Sequence, residues 1–205
     1  MSTATSRRKL SAAARRESIL AAAIPEFAAA GYDRTRVSDI AARVGVTEPV
    51  VFQNFGTKSD LFVAVLERVA DEVTRYLAVL GEQSPTVAEL LSRLLAHEHQ
   101  DRLHSSGGLG MIFVEAANNP EPPIREAGHR AHTRTVQAIA ELLRRGQAEG
   151  SIRDDVDAAT LGWLVLSQIH ARQFRRAHTT TSPALEQAIL EALLAVLRPG
   201  WVKTG

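Results

Sequence analysis

The sequence predicts an all-α fold of about nine helices. Alanine and leucine are abundant, apolar residues recur at spacings of three and four, and no segment alternates as a β-strand does. Glycines, prolines and polar clusters interrupt this pattern at intervals, which indicates where helices end. The predicted helices span about residues 11–30, 37–44, 48–55, 57–80, 86–104, 109–118, 122–149, 157–177 and 183–197.

Composition excludes several classes of protein. The chain has 205 residues, 45% of them hydrophobic, and a formal net charge of +1. It contains no cysteine, so disulfides and thiolate metal sites are excluded. No run reaches the roughly 18 apolar residues of a membrane span, and the N-terminus lacks a secretory signal, so we expect a cytoplasmic protein with no membrane partner. No nucleotide-binding or hydrolase motif is present, so we expect that the chain is not an enzyme and binds no cofactor.

Positive charge is concentrated at the N-terminus. Seven of the basic residues precede residue 37: Arg7, Arg8, Lys9, Arg15, Arg16, Arg34 and Arg36. We expect residues 1–10 to form a flexible basic arm, either in contact with DNA phosphates or simply solvated.

The first helix carries an apolar face and one unusual residue. Ile19, Ala23 and Phe27 share a face, and Gly31 is placed to cap the C-terminus. Pro25 lies inside this helix, where we expect either a bend or a helix that packing tolerates.

The next two helices have the pattern of a helix-turn-helix. The second helix presents an apolar stripe formed by Val37, Ile40, Ala41 and Val44. Thr35 is predicted to cap its start and Gly45 to end it. Val46 is expected as a buried anchor in the turn, and Thr47 as the capping residue of a short third helix. Val51 and Phe55 are predicted to point inward, leaving the outer face of this helix for a DNA groove.

The segment from Ile19 to Phe62 resembles the DNA-binding domain of the tetracycline-repressor (TetR) family. Matching positions are Ile19, Leu20, Ala22, Ala23, Phe27, Gly31, Tyr32, Thr35, Val37, Ile40, Ala41, Gly45, Val46, Phe55, Lys58 and Leu61. The resemblance implies a helix-turn-helix domain over 11–58 and a helical effector-binding and dimerisation domain over 59–205. It also implies a transcription regulator, in most cases a repressor that an effector releases from its operator. This chain departs from the family pattern at Pro25, at Glu26 in place of leucine, and at Phe52 in place of a phosphate-binding tyrosine.

Candidate DNA contacts cluster on the third helix. They are Thr47, Glu48, Pro49, Val50, Phe52, Gln53 and Asn54, together with Arg36 before the second helix and Lys58 at the start of the fourth. Gln53 suits adenine, Pro49 and Val50 suit a thymine methyl group, and Glu48 suits cytosine. The third helix has no lysine or arginine, so guanine readout from it is not expected. Lys58 is expected to contact a phosphate and position the domain.

The fourth helix begins with a sequence typical of a capping box, Thr57 to Asp60, and leads into the body. The last two helices carry apolar stripes formed by Leu161, Leu164 and Val165 and by Leu185, Ile189, Leu193 and Val196. These stripes suit either a four-helix homodimer interface or an internal core. A homodimer would read a pseudo-palindromic operator in double-stranded DNA.

Polar residues on apolar faces of the body, with apolar residues that could form the wall of a pocket, are candidates for an effector site. They are His97, Met111, Phe113, His132 and Gln168. A mainly apolar pocket with few polar groups would suit a small lipophilic or amphipathic ligand. Two alternatives stay open: a metal bound by His129 with His132 or by His97 with His104, and an effector-independent DNA-organising or adaptor protein on the same fold.

Overall fold

The computed structural model describes residues 11–96, 98–99, 109–178, 180 and 182–200. Regular structure in these residues is helical throughout, which confirms the predicted all-α fold of about nine helices. The helices are α1 (Ala12–Arg34), α2 (Val37–Val44), α3 (Glu48–Phe55), α4 (Lys58–Gln83), α5 (Val87–Leu95), α6 (Leu109–Ala117), α7 (Pro122–Ala148), α8 (Ala158–His178) and α9 (Pro183–Leu197). The predicted basic arm, residues 1–10, lies outside the described residues.

Helix α1 continues through its proline. Ser11 caps the N-terminus by accepting a hydrogen bond from the Ala14 amide over 3.1 Å. Backbone dihedrals stay helical at Pro25 and leave the helical region at Gly31, with φ 77° and ψ 174°. Ile19 and Phe27 on the inner face are fully buried, so packing compensates for the hydrogen bond that proline removes.

Two predicted helix caps differ from what the structure shows. Helix α2 starts one residue later than a Thr35 cap requires, with Arg36 in the cap position. The buried Thr35 hydroxyl instead donates to the carbonyl oxygens of Gly31, over 2.6 Å, and Glu26, over 3.2 Å. Thr47 does occupy the cap position of α3, but its side chain makes no capping hydrogen bond. The prediction was therefore wrong for Thr35, and right for the position of Thr47 but wrong for its hydroxyl.

The start of α4 forms the predicted capping box. The Asp60 amide donates to the Thr57 hydroxyl, and the Thr57 amide donates to the Asp60 carboxylate, each over 3.0 Å. Reciprocal bonds of this kind satisfy two amides that an uncapped helix would leave without partners. The junction between α3 and α4 is thus defined by local sequence.

Helix α5 is shorter than predicted. The apolar pattern indicated one helix over 86–104, whereas α5 ends at Leu95 because Ala96 adopts an extended conformation with φ −55° and ψ 139°. Alanine is a good helix former, so nothing in the local sequence signals this break. Much of the segment that follows lies outside the described residues.

Two apolar cores meet along α4. The first is built by α1, α2, α3 and the first half of α4, and it continues into α6 and α7 through Ile112, Phe113 and Ile124. The second joins the end of α4 to α5, α7, α8 and α9. Val73 packs against both cores. The predicted DNA-binding domain, residues 11–58, which we call the head, therefore shares a core with the predicted C-terminal domain, which we call the body.

Ion pairs fasten α4 to α7. Arg134 binds the carboxylates of Glu67, over 2.8 Å, and Asp71. Arg130 binds Glu67 as well, over 3.2 Å. These side chains are at least one third exposed, so each pair contributes little by itself. Together they hold α4 in a fixed position along α7.

Candidate DNA-binding surface and ligand site

Helices α2 and α3 cross through a tight turn centred on Gly45. Its backbone is left-handed, with φ 73° and ψ 36°, and its amide closes α2 by donating to the carbonyls of Ala41 and Ala42. A side chain would be strained at this φ, which explains the glycine. Val46 follows and donates its amide to Ala41 over 3.0 Å. Its side chain is half-buried, so the predicted fully buried anchor is only partly realised.

The short helix α3 has an inner and an outer face, as predicted. Val51 is fully buried and Phe55 nearly so. The outer face carries most of the candidate base-reading residues as exposed side chains, namely Thr47, Glu48, Pro49, Phe52 and Gln53. Val50 and Asn54 are half-buried at its edges. This outer face is the predicted contact surface for a DNA groove.

Asn54 makes hydrogen bonds within the protein through its side chain and through its backbone. Its amide nitrogen donates to the Val50 carbonyl over 2.7 Å, which holds the side chain along its own helix. Its backbone carbonyl accepts from the Arg16 guanidinium, which also lies 3.9 Å from the centre of the Phe55 ring. Arg16 thus braces the C-terminal end of α3. Sequence reasoning missed this role, since 38 residues separate the two groups.

The two predicted cationic contacts outside α3 have different surroundings. Arg36 is exposed at the cap position of α2. Lys58, the first residue of α4, donates to the Asp33 carbonyl over 3.1 Å, and its ammonium lies 4.8 Å from the centre of the Tyr32 ring. To contact a phosphate, Lys58 would have to exchange or share these partners.

The family departures in the head have visible partners. Glu26 forms an ion pair with Arg43 of α2, so the carboxylate that replaces leucine ties α1 to α2. Phe52 exposes 36% of its surface on the outer face of α3. It lacks the hydroxyl of the tyrosine that the family pattern has at this position, so its exposed ring is wholly apolar.

Three helices of the body bring together a cluster of rings. Phe113 of α6 is buried and packs edge-on against His132 of α7, with ring centres 6.0 Å apart. His132 in turn meets His170 of α8 at 5.2 Å and nearly perpendicular. We call Phe113, His132 and His170 the ring cluster. The sequence predicted Phe113 and His132 but not His170, because the polar and basic residues around it on α8 gave no sign that this histidine would be partly buried.

Both histidines of the ring cluster are neutral at physiological pH. Burial lowers the pKa of His170 to about 4, and the nearby His132 lowers it further. Burial also lowers the pKa of His132, against an opposing effect of its bond to the Gly128 carbonyl. The site therefore offers neutral imidazoles and an aromatic face.

The structure places none of the other predicted effector-binding residues in the ring cluster. Gln168 is half-buried on α8. His97 and the side chain of Met111 lie outside the described residues. His129, an alternative metal ligand, is exposed, and His104 is not described. Among the described residues, no group of three or more histidine, aspartate or glutamate side chains is placed to hold a metal ion, and no helix is long and apolar enough to cross a bilayer.

Helices α8 and α9 leave large apolar side chains in solvent. Trp163 is 51% exposed, Phe174 62% and Leu185 44%, with Leu164 nearby at 39%. Three residues of the predicted stripes, Leu161, Val165 and Leu193, are instead buried in the second core. For those positions the internal-core alternative is correct, while Leu164 and Leu185 remain available to a partner. Trp163 and Phe174 were not in the predicted stripes.

Comparisons with known proteins agree with this architecture. Residues 19–65 match the family model of bacterial regulatory proteins of the tetR family, and residues 101–199 match that of the SbtR-like transcriptional regulator C-terminal domain. The HTH-type transcriptional activator FasR of Mycolicibacterium smegmatis is 38% identical over 134 residues, which cover 64% of this chain and 59% of FasR. The chain thus matches less than two thirds of that relative's length. Several other relatives are named as HTH-type transcriptional repressors.

Solved structures give the same result for the whole fold. A TetR-family regulator from Cytophaga hutchinsonii superposes with a TM-score of 0.75 at 19% identity, covering 93% of this chain and 98% of that one. A regulator from Saccharomonospora viridis, solved in complex with choline, has a TM-score of 0.68 at 25% identity, covering 87% and 94%. The fold and the two matched domains are those of a helix-turn-helix regulator family. The chain belongs to the TetR family.

Proposed function

We propose that this protein is a cytoplasmic, nucleoid-associated repressor that binds a pseudo-palindromic operator as a homodimer and leaves it when a small lipophilic molecule binds the body. The observation that carries the proposal is the outer face of α3. A short helix held by Val51 and Phe55 on one side presents exposed Glu48, Pro49 and Gln53 on the other. A helix of this size and orientation suits the major groove.

The base contacts follow from the chemistry of that face. Gln53 can donate to and accept from adenine, and Pro49 and Phe52 can pack on thymine methyl groups. Because Glu48–Phe55 contains no lysine or arginine, guanine readout would come from Arg36 or the N-terminal arm. We therefore expect half-sites rich in A·T pairs at the positions that α3 reads.

The DNA proposal is tested by selection and titration. Full-length protein is used to select binding sites from random double-stranded DNA. The most enriched sequence, and the DNA upstream of the gene that encodes this protein, are then titrated by fluorescence anisotropy. We expect a two-fold symmetric site, bound at least about 1,000-fold more tightly than random DNA and weakened by added salt. Binding that never exceeds random DNA would refute sequence-specific regulation.

A homodimer is supported by the exposed apolar residues of α8 and α9. Trp163, Phe174 and Leu185 are large and apolar, whereas a solvated helix face usually carries polar and charged residues, and tryptophan often dominates the energy of an interface. A two-fold axis between the bodies would present two α3 helices to successive major grooves.

The dimer is tested with a matched pair of variants. Trp163→Glu should raise the dimer dissociation constant by about 30-fold or more, as expected for a buried tryptophan at an interface. Val79→Glu is the control, because Val79 is 48% exposed on α4, close to the 51% of Trp163. Sedimentation velocity over a concentration series measures both. Equal dissociation constants for the two variants would place the interface elsewhere.

The effector proposal rests on the ring cluster. Neutral His132 and His170 can exchange hydrogen bonds with one polar group, while Phe113 offers an apolar wall. Such a site favours an uncharged or amphipathic molecule over a highly charged one. The choline complex of the Saccharomonospora viridis protein supports a small organic ligand in a body of this shape.

Three probes of different charge test this choice: decanol, decanoate and choline. We expect decanol to raise the melting temperature most and to reduce operator affinity, with both effects weakened by His170→Leu and preserved in His129→Leu at an exposed position. Strong operator binding that no tested small molecule releases would favour the alternative of an effector-independent DNA-organising or adaptor protein.

A further inference from the structure

The junction between head and body contains a tyrosine bound by two carboxylates. Tyr32, at the end of α1, donates its backbone amide to Glu115 of α6 over 2.8 Å. Its hydroxyl donates to Glu121, just before α7, over 2.9 Å. Both carboxylates lie more than 80 residues away along the chain, so these bonds connect the head to the body directly rather than through α4.

The burial of Tyr32 strengthens these hydrogen bonds. The side chain is 8% exposed, and its ring packs 5.1 Å from that of Phe62. Burial, followed by the hydrogen bond to Glu121, raises the pKa of the Tyr32 hydroxyl to about 12, so the hydroxyl remains a donor at physiological pH. Hydrogen bonds to ionised acceptors are stronger than those between neutral groups.

Gly31 allows Glu115 to reach this position. Its φ of 77° belongs to the left-handed region, and a Cβ atom at this residue would lie 2.9 Å from one Glu115 carboxylate oxygen and 3.1 Å from the other. The glycine thus permits the close approach of α6 to the end of α1. Here the same glycine serves the turn and the contact between head and body.

Helix α6 also reaches the ring cluster. Phe113 and Glu115 are two residues apart, which places them on opposite sides of a helix. Phe113 packs on His132, while Glu115 binds Tyr32. One short helix therefore touches the proposed effector site with one face and the head with the other.

We propose that Glu115 and Glu121 form a latch on Tyr32 that holds the head in one orientation on the body, and that α6 transmits the state of the ring cluster to this latch. The proposal rests on the proposed function, since it supplies a route by which an effector changes the spacing of the two heads. It adds a direct connection between head and body beside the one through α4. A shift of α6 away from α1 would lengthen the Glu115 bond and release Tyr32.

The absence of native cysteine makes a direct measurement practical. Ala42→Cys on α2 and Gln137→Cys on α7 place two spin labels at exposed positions, one on the head and one on the body. Doubly labelled chain is mixed with excess unlabelled chain, so that distances between subunits do not contribute. Pulsed electron–electron double resonance then measures the distribution of distances between head and body in the absence of DNA and effector.

In the otherwise unchanged chain we expect one narrow distance. Glu115→Ala should raise the population outside it about tenfold, the change expected when one charge-assisted hydrogen bond is lost. Tyr32→Phe removes the hydroxyl, with its bonds to Glu121 and Ser59, but keeps the backbone bond to Glu115, and should have a smaller effect of the same kind. Glu126→Ala, which removes an exposed carboxylate of α7, and Tyr76→Phe, which removes the other tyrosine hydroxyl, are the controls and should leave the distribution unchanged.

Transmission through α6 has its own variant. Phe113→Leu, which retains an apolar side chain but loses the ring contact with His132, should also broaden the distribution. If Glu115→Ala and Tyr32→Phe both fold and keep the narrow distance, the latch is refuted. If they broaden it but Phe113→Leu does not, transmission from the ring cluster is refuted. Operator binding is measured separately, so failure of the latch is distinguishable from failure of the proposed DNA-binding function.

Discussion

Acidification should destabilise this protein through the ring cluster. His170 has a pKa of about 4 in the folded chain, against 6.5 for an ordinary histidine. Between these values the unfolded chain binds more protons than the folded chain, so the free energy of unfolding falls as the pH falls. The stabilising contribution is complete above pH 6.5 and disappears progressively as the pH approaches 4. His132, whose pKa is also lowered, acts in the same direction.

The size of the effect follows from linkage. At pH 5, a shift from 6.5 to about 4 corresponds to a loss of about 2 kcal/mol relative to pH 8. Because His170 is half-buried and keeps some solvent contact, we expect about 1 to 2 kcal/mol. The groups that face it from the neighbouring helices are His132 of α7 and, beyond that ring, Phe113 of α6.

Urea unfolding at fixed protein concentration between pH 8 and pH 5 measures this loss. His170→Gln removes the titrating group while keeping a polar side chain, and His129→Gln does the same at an exposed position of α7. The unsubstituted chain and His129→Gln should lose stability with acid more steeply than His170→Gln, by about 1 to 2 kcal/mol at pH 5. Parallel curves for all three proteins would refute the assignment of a buried neutral imidazole at residue 170.

Three further predictions concern the head and the core. Gln53→Ala should cost about 1 to 3 kcal/mol of operator affinity and relax the preference for adenine at one position of each half-site, as measured by anisotropy on single-base variants; an unchanged preference would remove Gln53 from base readout. Arg16→Ala should lower operator affinity by about 1 kcal/mol through loosening of the end of α3, with Arg75→Ala, at an exposed position of α4, as the control; equal affinities would contradict a bracing role. Gly146→Ala should lower the free energy of unfolding by about 1 to 3 kcal/mol, because its Cβ would overlap Ile152 and lie 2.9 Å from the Cβ of Val87. Gly150→Ala is the control for Gly146→Ala: no atom lies within 4 Å of its Cβ position and only the φ of 76° is unfavourable, so it should cost about 1 kcal/mol in the same denaturation assay.

Features with a short range along the chain were predicted well. The capping box from Thr57 to Asp60 formed as expected, as did the inward direction of Val51 and Phe55. Gly45 adopts the left-handed conformation that its place at the end of α2 suggests. In each case the residues that determine the local conformation lie within one or two helical turns of each other, so their spacing in the sequence is enough to predict it.

Features that depend on neighbours from distant parts of the chain were not predictable. Two local features were also missed: the Thr35 hydroxyl faces the carbonyls of Gly31 and Glu26, four and nine residues earlier, and α5 ends before Ala96. An apolar stripe on α8 indicated an outer or an inner face equally well, and packing buried Leu161 while exposing Trp163.

The sequence by itself determined the helices, the helix-turn-helix and the family, because these follow from local periodicity and from many fixed spacings within residues 19–62. Tertiary structure decided the ring cluster, the bracing of α3 by Arg16, and the binding of Tyr32 by Glu115 and Glu121. The physical reason is the range of the interactions: helix formation is settled over a few residues, whereas burial, pKa and ion pairing depend on which distant side chains the folded chain brings within a few ångströms.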